Sequence, residues 1–235
     1  MRLNFQSYGA GFPVIILHGL FGSLDNWQTI SRRLGDHFHV FALDQRNHGR
    51  SPHSDVFNYE VMAGDLREFM QAHGLSHAHL LGHSLGGKTA MEFALRHPEL
   101  VGKLIVVDMA PKAYPPWHVP IFKALLSLDL SAFHHRQEIV DALAPSIPAL
   151  ATRQFLLKNL THDESGALRW KLNLPAICKN HDQLEQGLEI GRQFTGPVLF
   201  IKGGRSEYIE DEDQPSITRL FPRAEIITIP ESGHW

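Results

Sequence analysis

Apolar residues along this chain fall into short unbroken runs, separated by longer stretches with helical spacing. The clearest runs are Pro13-Val14-Ile15-Ile16-Leu17, His39-Val40-Phe41-Ala42-Leu43, the segment Ala78-His79-Leu80-Leu81, Lys103-Leu104-Ile105-Val106-Val107 and Pro197-Val198-Leu199-Phe200-Ile201. Continuous β-branched runs of this length predict strands buried on both faces of a parallel sheet. Weak alternation over residues 2–8 predicts an edge strand, and Glu225-Ile226-Ile227-Thr228-Ile229 predicts a last strand. Between the runs lie helical patterns: one starting near Leu24 or Asp25 with Trp27, Ile30 and Leu34 on one face, one over 59–73 capped by Gly74, one over 88–96 stopped by Pro98, and one over 214–220. Strand–helix alternation of this kind predicts an α/β fold, a mainly parallel sheet flanked by helices.

From about residue 112 the pattern changes. Helical periodicity dominates to about 193, broken by Pro115-Pro116, Pro120, Pro145, Pro148 and Pro175, and no run predicts a buried strand. The expected organisation is a core formed by 1–111 and 194–235, with 112–193 inserted as a helical lid.

Chemistry concentrates where the predicted strands end. The third buried run enters Gly82-His83-Ser84-Leu85-Gly86-Gly87, a G-x-S-x-G pattern between a strand and a helix. A turn that tight strains the serine, and Gly82 and Gly86 leave room for it. Strand 13–17 ends in His18-Gly19-Leu20-Phe21-Gly22, strand 103–107 in Asp108, strand 197–201 near Ser206 and Glu207, and the last strand in His234. The ends of parallel strands share one edge of the sheet. Acyl transfer needs a hydroxyl nucleophile, an imidazole to carry its proton, a carboxylate to orient the imidazole and donors for an oxyanion. The chain carries each type in the order serine, acid, histidine. The polar loop 44–52 reads as a brace in which Asp44 and Arg46 pair.

Composition narrows the classes. The 235 residues carry a formal charge of −3 with no basic cluster, which argues against nucleic acid as a partner. One cysteine, Cys178, excludes an internal disulfide and suits a reducing compartment. No apolar run approaches the ~20 residues of a membrane span, and the first residues have no apolar signal segment, so a cytoplasmic location is expected. The sixteen histidines are scattered without metal-ligand spacing, so no metal is expected.

Together, His18-Gly19-Leu20-Phe21-Gly22, Asp44-Gln45-Arg46-Asn47-His48-Gly49-Arg50-Ser51, Gly82-His83-Ser84-Leu85-Gly86-Gly87 and Ser232-Gly233-His234-Trp235 resemble the α/β-hydrolase superfamily over almost the whole chain. The Asp-x-Arg-Asn-His-Gly form is similar to small cytoplasmic esterases of the YbfF type and their abhydrolase relatives. That resemblance implies hydrolysis of small-molecule carboxylic esters, and of acyl thioesters such as acyl-CoA, without metal or organic cofactor. It implies Ser84 as nucleophile, His234 as base and then acid, and the N–H groups of Leu85 and Leu20 as oxyanion hole, with Phe21 the alternative to Leu20. Many superfamily members carry an Asp where this chain has Ser206. The expected acid is therefore Asp108 with Ser206 as its hydrogen-bond auxiliary, and Glu207 is the alternative. Phe21, His83 and the lid residues Trp170 and Asn173 are the candidate substrate contacts. Lid side chains such as Trp117, Phe122 and Phe155 suit an acyl chain or an apolar alcohol. Family members usually continue past this histidine into a further helix, so the chain reads as truncated. The superfamily fold also hosts C–C hydrolases, lyases, cofactor-free haloperoxidases and ligand receptors.

Overall fold

The structure is a computed structural model, and it describes residues 1–188 and 191–234. Trp235, which closes the histidine motif, lies outside the described residues. In chain order the elements are β1 (Phe5–Tyr8), β2 (Pro13–Leu17), α1 (Gln28–Leu34), β3 (His39–Leu43), α2 (Tyr59–Ala72), β4 (Ala78–His83), α3 (Leu85–Arg96) and β5 (Val101–Val107). Then follow α4 (Val119–Leu126), α5 (Arg136–Ala142), α6 (Leu150–Leu156), β6 (Leu160–His162), β7 (Leu168–Trp170), α7 (Leu174–Lys179), α8 (His181–Glu185), β8 (Val198–Gly203), α9 (Gln214–Leu220) and β9 (Ala224–Ile229).

Among the described residues the main sheet has seven strands in the order β1-β3-β2-β4-β5-β8-β9. β1 runs antiparallel on β3, and the other pairings are parallel. Its central strands are buried, with Ile15, Leu43, Leu80, Leu104 and Phe200 inaccessible to solvent. Helix α3 packs on this sheet through a face that includes Ala90, Met91, Phe93 and Ala94, all fully buried. The carboxyl ends of β2, β4, β5 and β8 therefore open on one edge, and the segments that follow them carry the reactive residues.

Three local expectations are corrected. The helix after the serine begins at Leu85, three residues earlier than the periodicity suggests, because Gly86 and Gly87 carry no apolar signal but are buried against the sheet. Residues 112–193 hold a small two-stranded sheet, β6 with β7, besides helices. Both strands are three residues long and no residue in them is buried, so they leave no buried apolar run. Asp44 and Arg46 do not pair. Asp44 accepts from the Leu24 N–H at 2.8 Å, the Arg50 N–H at 2.9 Å and Asn4 Nδ2 at 2.7 Å. Arg46 turns to Asp65 on α2, with Nε and Nη2 at 2.5 and 2.7 Å from its two oxygens. Both groups brace the loop, but a bidentate carboxylate on the neighbouring helix suits a buried guanidinium better than a residue two positions away.

Candidate active site

The turn after β4 explains the glycines. Ser84 has φ 52° and ψ −118°, a backbone region that costs a non-glycine residue roughly 1–3 kcal/mol. A Cβ on Gly82 would meet the Gly86 carbonyl oxygen at 2.2 Å, and one on Gly86 would meet the Leu17 oxygen at 2.4 Å. The chain thus turns sharply enough to lift the Ser84 side chain above the sheet edge. Asp108, directly after β5, also has positive φ, 51°.

Three side chains from three strand ends meet there. Ser84 Oγ lies 3.0 Å from His234 Nε2, and His234 Nδ1 lies 2.7 Å from Asp108 Oδ2. The other Asp108 oxygen accepts from the Gly203 N–H at 2.9 Å, and Ser206 Oγ donates to Asp108 Oδ2. Burial by itself would raise the Asp108 carboxyl. The hydrogen bonds from His234, Ser206 and Gly203 outweigh it and hold the group below its ordinary value, as a carboxylate. Glu207 is exposed and makes no hydrogen bond or ion pair among the described residues.

A second layer fixes these groups. His83 Nε2 donates to the His234 carbonyl oxygen at 3.0 Å. Burial pushes His83 down to about 4, so it braces the histidine loop as a neutral ring. Tyr208 stacks on the His234 imidazole, centroids 3.5 Å apart and planes within 10°. Tyr208 is itself held by Tyr114, whose hydroxyl donates to the Tyr208 carbonyl at 2.6 Å. On the other side His18 accepts the Gln45 N–H at Nε2 (3.0 Å), which leaves its Nδ1–H to donate to the Gly19 carbonyl at 2.8 Å. Burial lowers His18 to about 4, which keeps that tautomer neutral. The Gly22 N–H closes the turn onto Gly19 O at 2.9 Å. The backbone N–H groups of Leu20 and Leu85 have no acceptor among the described residues, and both residues border cavities that reach Ser84.

Two cavities meet at Ser84. The outer cleft, about 420 Å³, is bordered by His234, Leu20, Trp27, Ile30, Thr152 and Phe155. The inner pocket, about 40 Å³, is bordered by Leu85, Tyr59, Tyr114, Phe122, Leu184 and Glu185. His118 borders both, and burial lowers it to about 4. Of the expected substrate contacts, His83 lines the outer cleft but spends Nε2 on the histidine loop. The other three line neither cavity among the described residues. Phe21 is buried against Phe122, with centroids 5.2 Å apart, and its carbonyl accepts from Asn159 Nδ2. Trp170 sits in the β6–β7 hairpin, packed on the core. Asn173 caps α7 and hydrogen-bonds Asn47, tying this segment to loop 44–52. Their polarity and size fit a contact role, but their strand and cap positions commit them to packing. His118, Tyr208 and Tyr114 escaped the sequence because no spacing connects them to Ser84.

Among the described residues one group could offer a metal three donor atoms, His181, Asp182 and Glu185, within 4.8 Å of one another. His181 Nε2 and Glu185 Oε1 already lie 2.7 Å apart, one helical turn apart.

The sheet order and the strained serine turn define an α/β hydrolase, and the alpha/beta hydrolase fold profile matches residues 13–165; the chain belongs to this family. Its relatives include esterases and lipases. The sn-1-specific diacylglycerol lipase ABHD11 of Xenopus laevis is 38% identical over 96% of this chain and 74% of its own length. Esterase YbfF of Escherichia coli is 32% identical over 100% of this chain and 92% of its own. A solved marine microorganism esterase superposes with a TM-score of 0.97 at 47% identity, covering 100% of this chain and 93% of that one. No helix among the described residues is long and apolar enough to cross a membrane.

Proposed function

We propose that the protein hydrolyses carboxylic esters through an acyl-enzyme on Ser84. The observation that carries this reading is the unbroken contact from Ser84 Oγ through the His234 ring to Asp108, at 3.0 and 2.7 Å. In the proposed cycle Ser84 Oγ bonds to the ester carbonyl carbon while its proton passes to His234 Nε2. The Leu20 and Leu85 N–H groups take the oxyanion. The carbonyl–alkoxy bond then breaks, and the proton on Nε2 moves to the departing oxygen. Water attacks the acyl-enzyme by the same route, returning the proton to Ser84 and releasing the carboxylic acid. Asp108 keeps the imidazole in the tautomer with Nε2 free to accept, and Ser206 keeps Asp108 ionised. The same chemistry serves acyl thioesters such as acyl-CoA, and parallel turnover of acetyl-CoA and nitrophenyl acetate measures the preference between them.

We assign residues 112–193 to a cap over a core of 1–111 and 194–235, and place the enzyme in a reducing, cytoplasmic compartment that suits its single Cys178. The decisive experiment is labelling by a fluorophosphonate together with hydrolysis of nitrophenyl esters. Ser84→Ala should lose the label and on the order of 10⁶ in kcat while keeping its fold. A variant retaining more than about 1% of turnover would remove Ser84 from the reaction.

A further inference from the structure

The two cavities that meet at Ser84 differ tenfold in size, about 420 against 40 Å³, and they differ in what borders them. Among the described residues His234 borders the outer cleft only. On the inner side its place is taken by Tyr208, stacked flat on the imidazole. An ester hydrolysed here must put its leaving oxygen within reach of His234 Nε2, since that atom returns the proton. The leaving alcohol therefore extends into the outer cleft, and the acyl group is directed to the inner pocket. An acyl chain in the outer cleft would turn the leaving oxygen away from its proton donor.

From this we infer an acyl-length limit: the enzyme selects esters of short acyl groups, acetyl to butanoyl, with large apolar alcohols. The inference rests on the ester hydrolase reading above. A cavity of 40 Å³ holds roughly two or three non-hydrogen atoms beyond the carbonyl, since one water needs ~10–15 Å³. The wall that sets the limit is firmly held. Tyr59 Oη donates to the Leu184 carbonyl at 2.7 Å, the Tyr114 N–H to the Glu185 carbonyl at 2.8 Å, and Lys88 Nζ to the Gln186 carbonyl at 2.7 Å. Three successive carbonyls are thus tied to α2, α3 and the segment after β5, and Leu184 and Glu185 themselves border the pocket. Phe122, itself buried against Phe21, borders the same pocket. The outer cleft is about ten times roomier. Its rim includes the exposed Ile30 beside Trp27 and Phe155, an apolar mouth that can take a long or aromatic alcohol.

The test uses two substrate series on the full chain. With nitrophenol as constant leaving group, kcat/KM should fall at least about 100-fold from butanoate to dodecanoate, because the extra methylenes exceed the 40 Å³ the inner pocket offers. With acetate as constant acyl group, kcat/KM should vary less than about threefold from ethyl to decyl and naphthyl alcohols after correction for leaving-group acidity. Leu184→Ala and, independently, Phe122→Leu should raise the octanoate-to-acetate ratio at least about tenfold. Wild-type dodecanoate turnover equal to that of butanoate would overturn the inference, as would an unchanged ratio in both variants while they still take the fluorophosphonate label. Absence of label and of turnover on every ester would instead overturn the hydrolase reading beneath it.

Discussion

Ser84 and Asp108 both pay for their positions with a left-handed backbone, φ 52° and 51°, and both follow a central strand directly. At Ser84 the angles φ 52°, ψ −118° mirror the ordinary extended region, which glycine occupies freely and L-residues do not. Ser84→Gly should therefore be more stable than Ser84→Ala by about 1 kcal/mol, while both lack activity. Melting temperatures of the two inactive variants check this, and an alanine variant that melts at or above the glycine variant would show no stored strain at this turn. The acid is the second question at this scale. Asp108→Asn should cost about 10⁴ in kcat, since an amide cannot hold the imidazole tautomer. Ser206→Ala should cost far less, about tenfold, and Glu207→Gln less than twofold, because Glu207 is exposed and contacts neither Asp108 nor Ser84. Steady-state rates of the three variants on one nitrophenyl ester decide it, and a collapse in Glu207→Gln alone would reverse the assignment. Types and order of these residues were legible in the sequence. Which carboxylate faces His234 was legible only through the family resemblance, which favoured Asp108 over Glu207; the residues alone leave it open, because it depends on how the loop after β8 turns.

Helix α3 does two jobs within one turn. Its first residue, Leu85, offers an N–H beside Ser84, and Lys88, one turn on, is buried and reaches the 184–188 segment. Lys88 Nζ lies 4.8 Å from the Tyr114 ring and 5.4 Å from the Tyr59 ring, with Gln186 O as its hydrogen-bond acceptor and Glu185 nearby. Burial pushes the ammonium down to about 7, an effect only partly offset by Glu185. An unfolded lysine titrates near 10.4, so between about pH 7 and 10 the unfolded chain holds more protons at this site. Stability then rises with pH across that window, and the burial cost is fully present only below it. Lys88→Met removes this increment: its stability relative to wild type should be highest at pH 7 and decline towards pH 10. Urea midpoints at pH 7, 8.5 and 10 measure it, and a pH-independent difference between the two proteins would sink the argument. Nothing in the pattern of α3 flags Lys88, because a lysine between Gly87 and Thr89 reads as a solvent-facing position. Its burial comes from the chain that returns some hundred residues later. The same is true of Asn173 and Trp170, whose places are set by Asn47 and by the β6–β7 pairing. The buried strands of the main sheet, by contrast, were legible to within two residues, because burial on both faces requires unbroken apolar sequence.

At the scale of the whole molecule, Ser84 and Asp108 follow buried central strands, and part of the proposed cap is less deeply anchored. β2, β4 and β5 are central and hold four, four and three buried residues, whereas in α6 the one buried residue is Leu156. α6 nevertheless lines the outer cleft through Ala151, Thr152 and Phe155. The part of the molecule assigned to hold the alcohol is thus a part with little buried apolar area. Local opening follows buried contact, so amides of α6 should exchange with solvent orders of magnitude faster than those of β4. Attaching a phosphonate with a long alkoxy chain to Ser84 fills the outer cleft and adds apolar contacts to α6 without touching the sheet. Protection in α6 should then rise at least about tenfold, with β4 unchanged, because ligand contact stabilises only the closed form of the segment it touches. Hydrogen exchange followed by mass spectrometry, with and without the phosphonate, reads both effects. Slow exchange in α6 before labelling would make the cleft a fixed surface, and the breadth of alcohol acceptance would then have to come from its size alone.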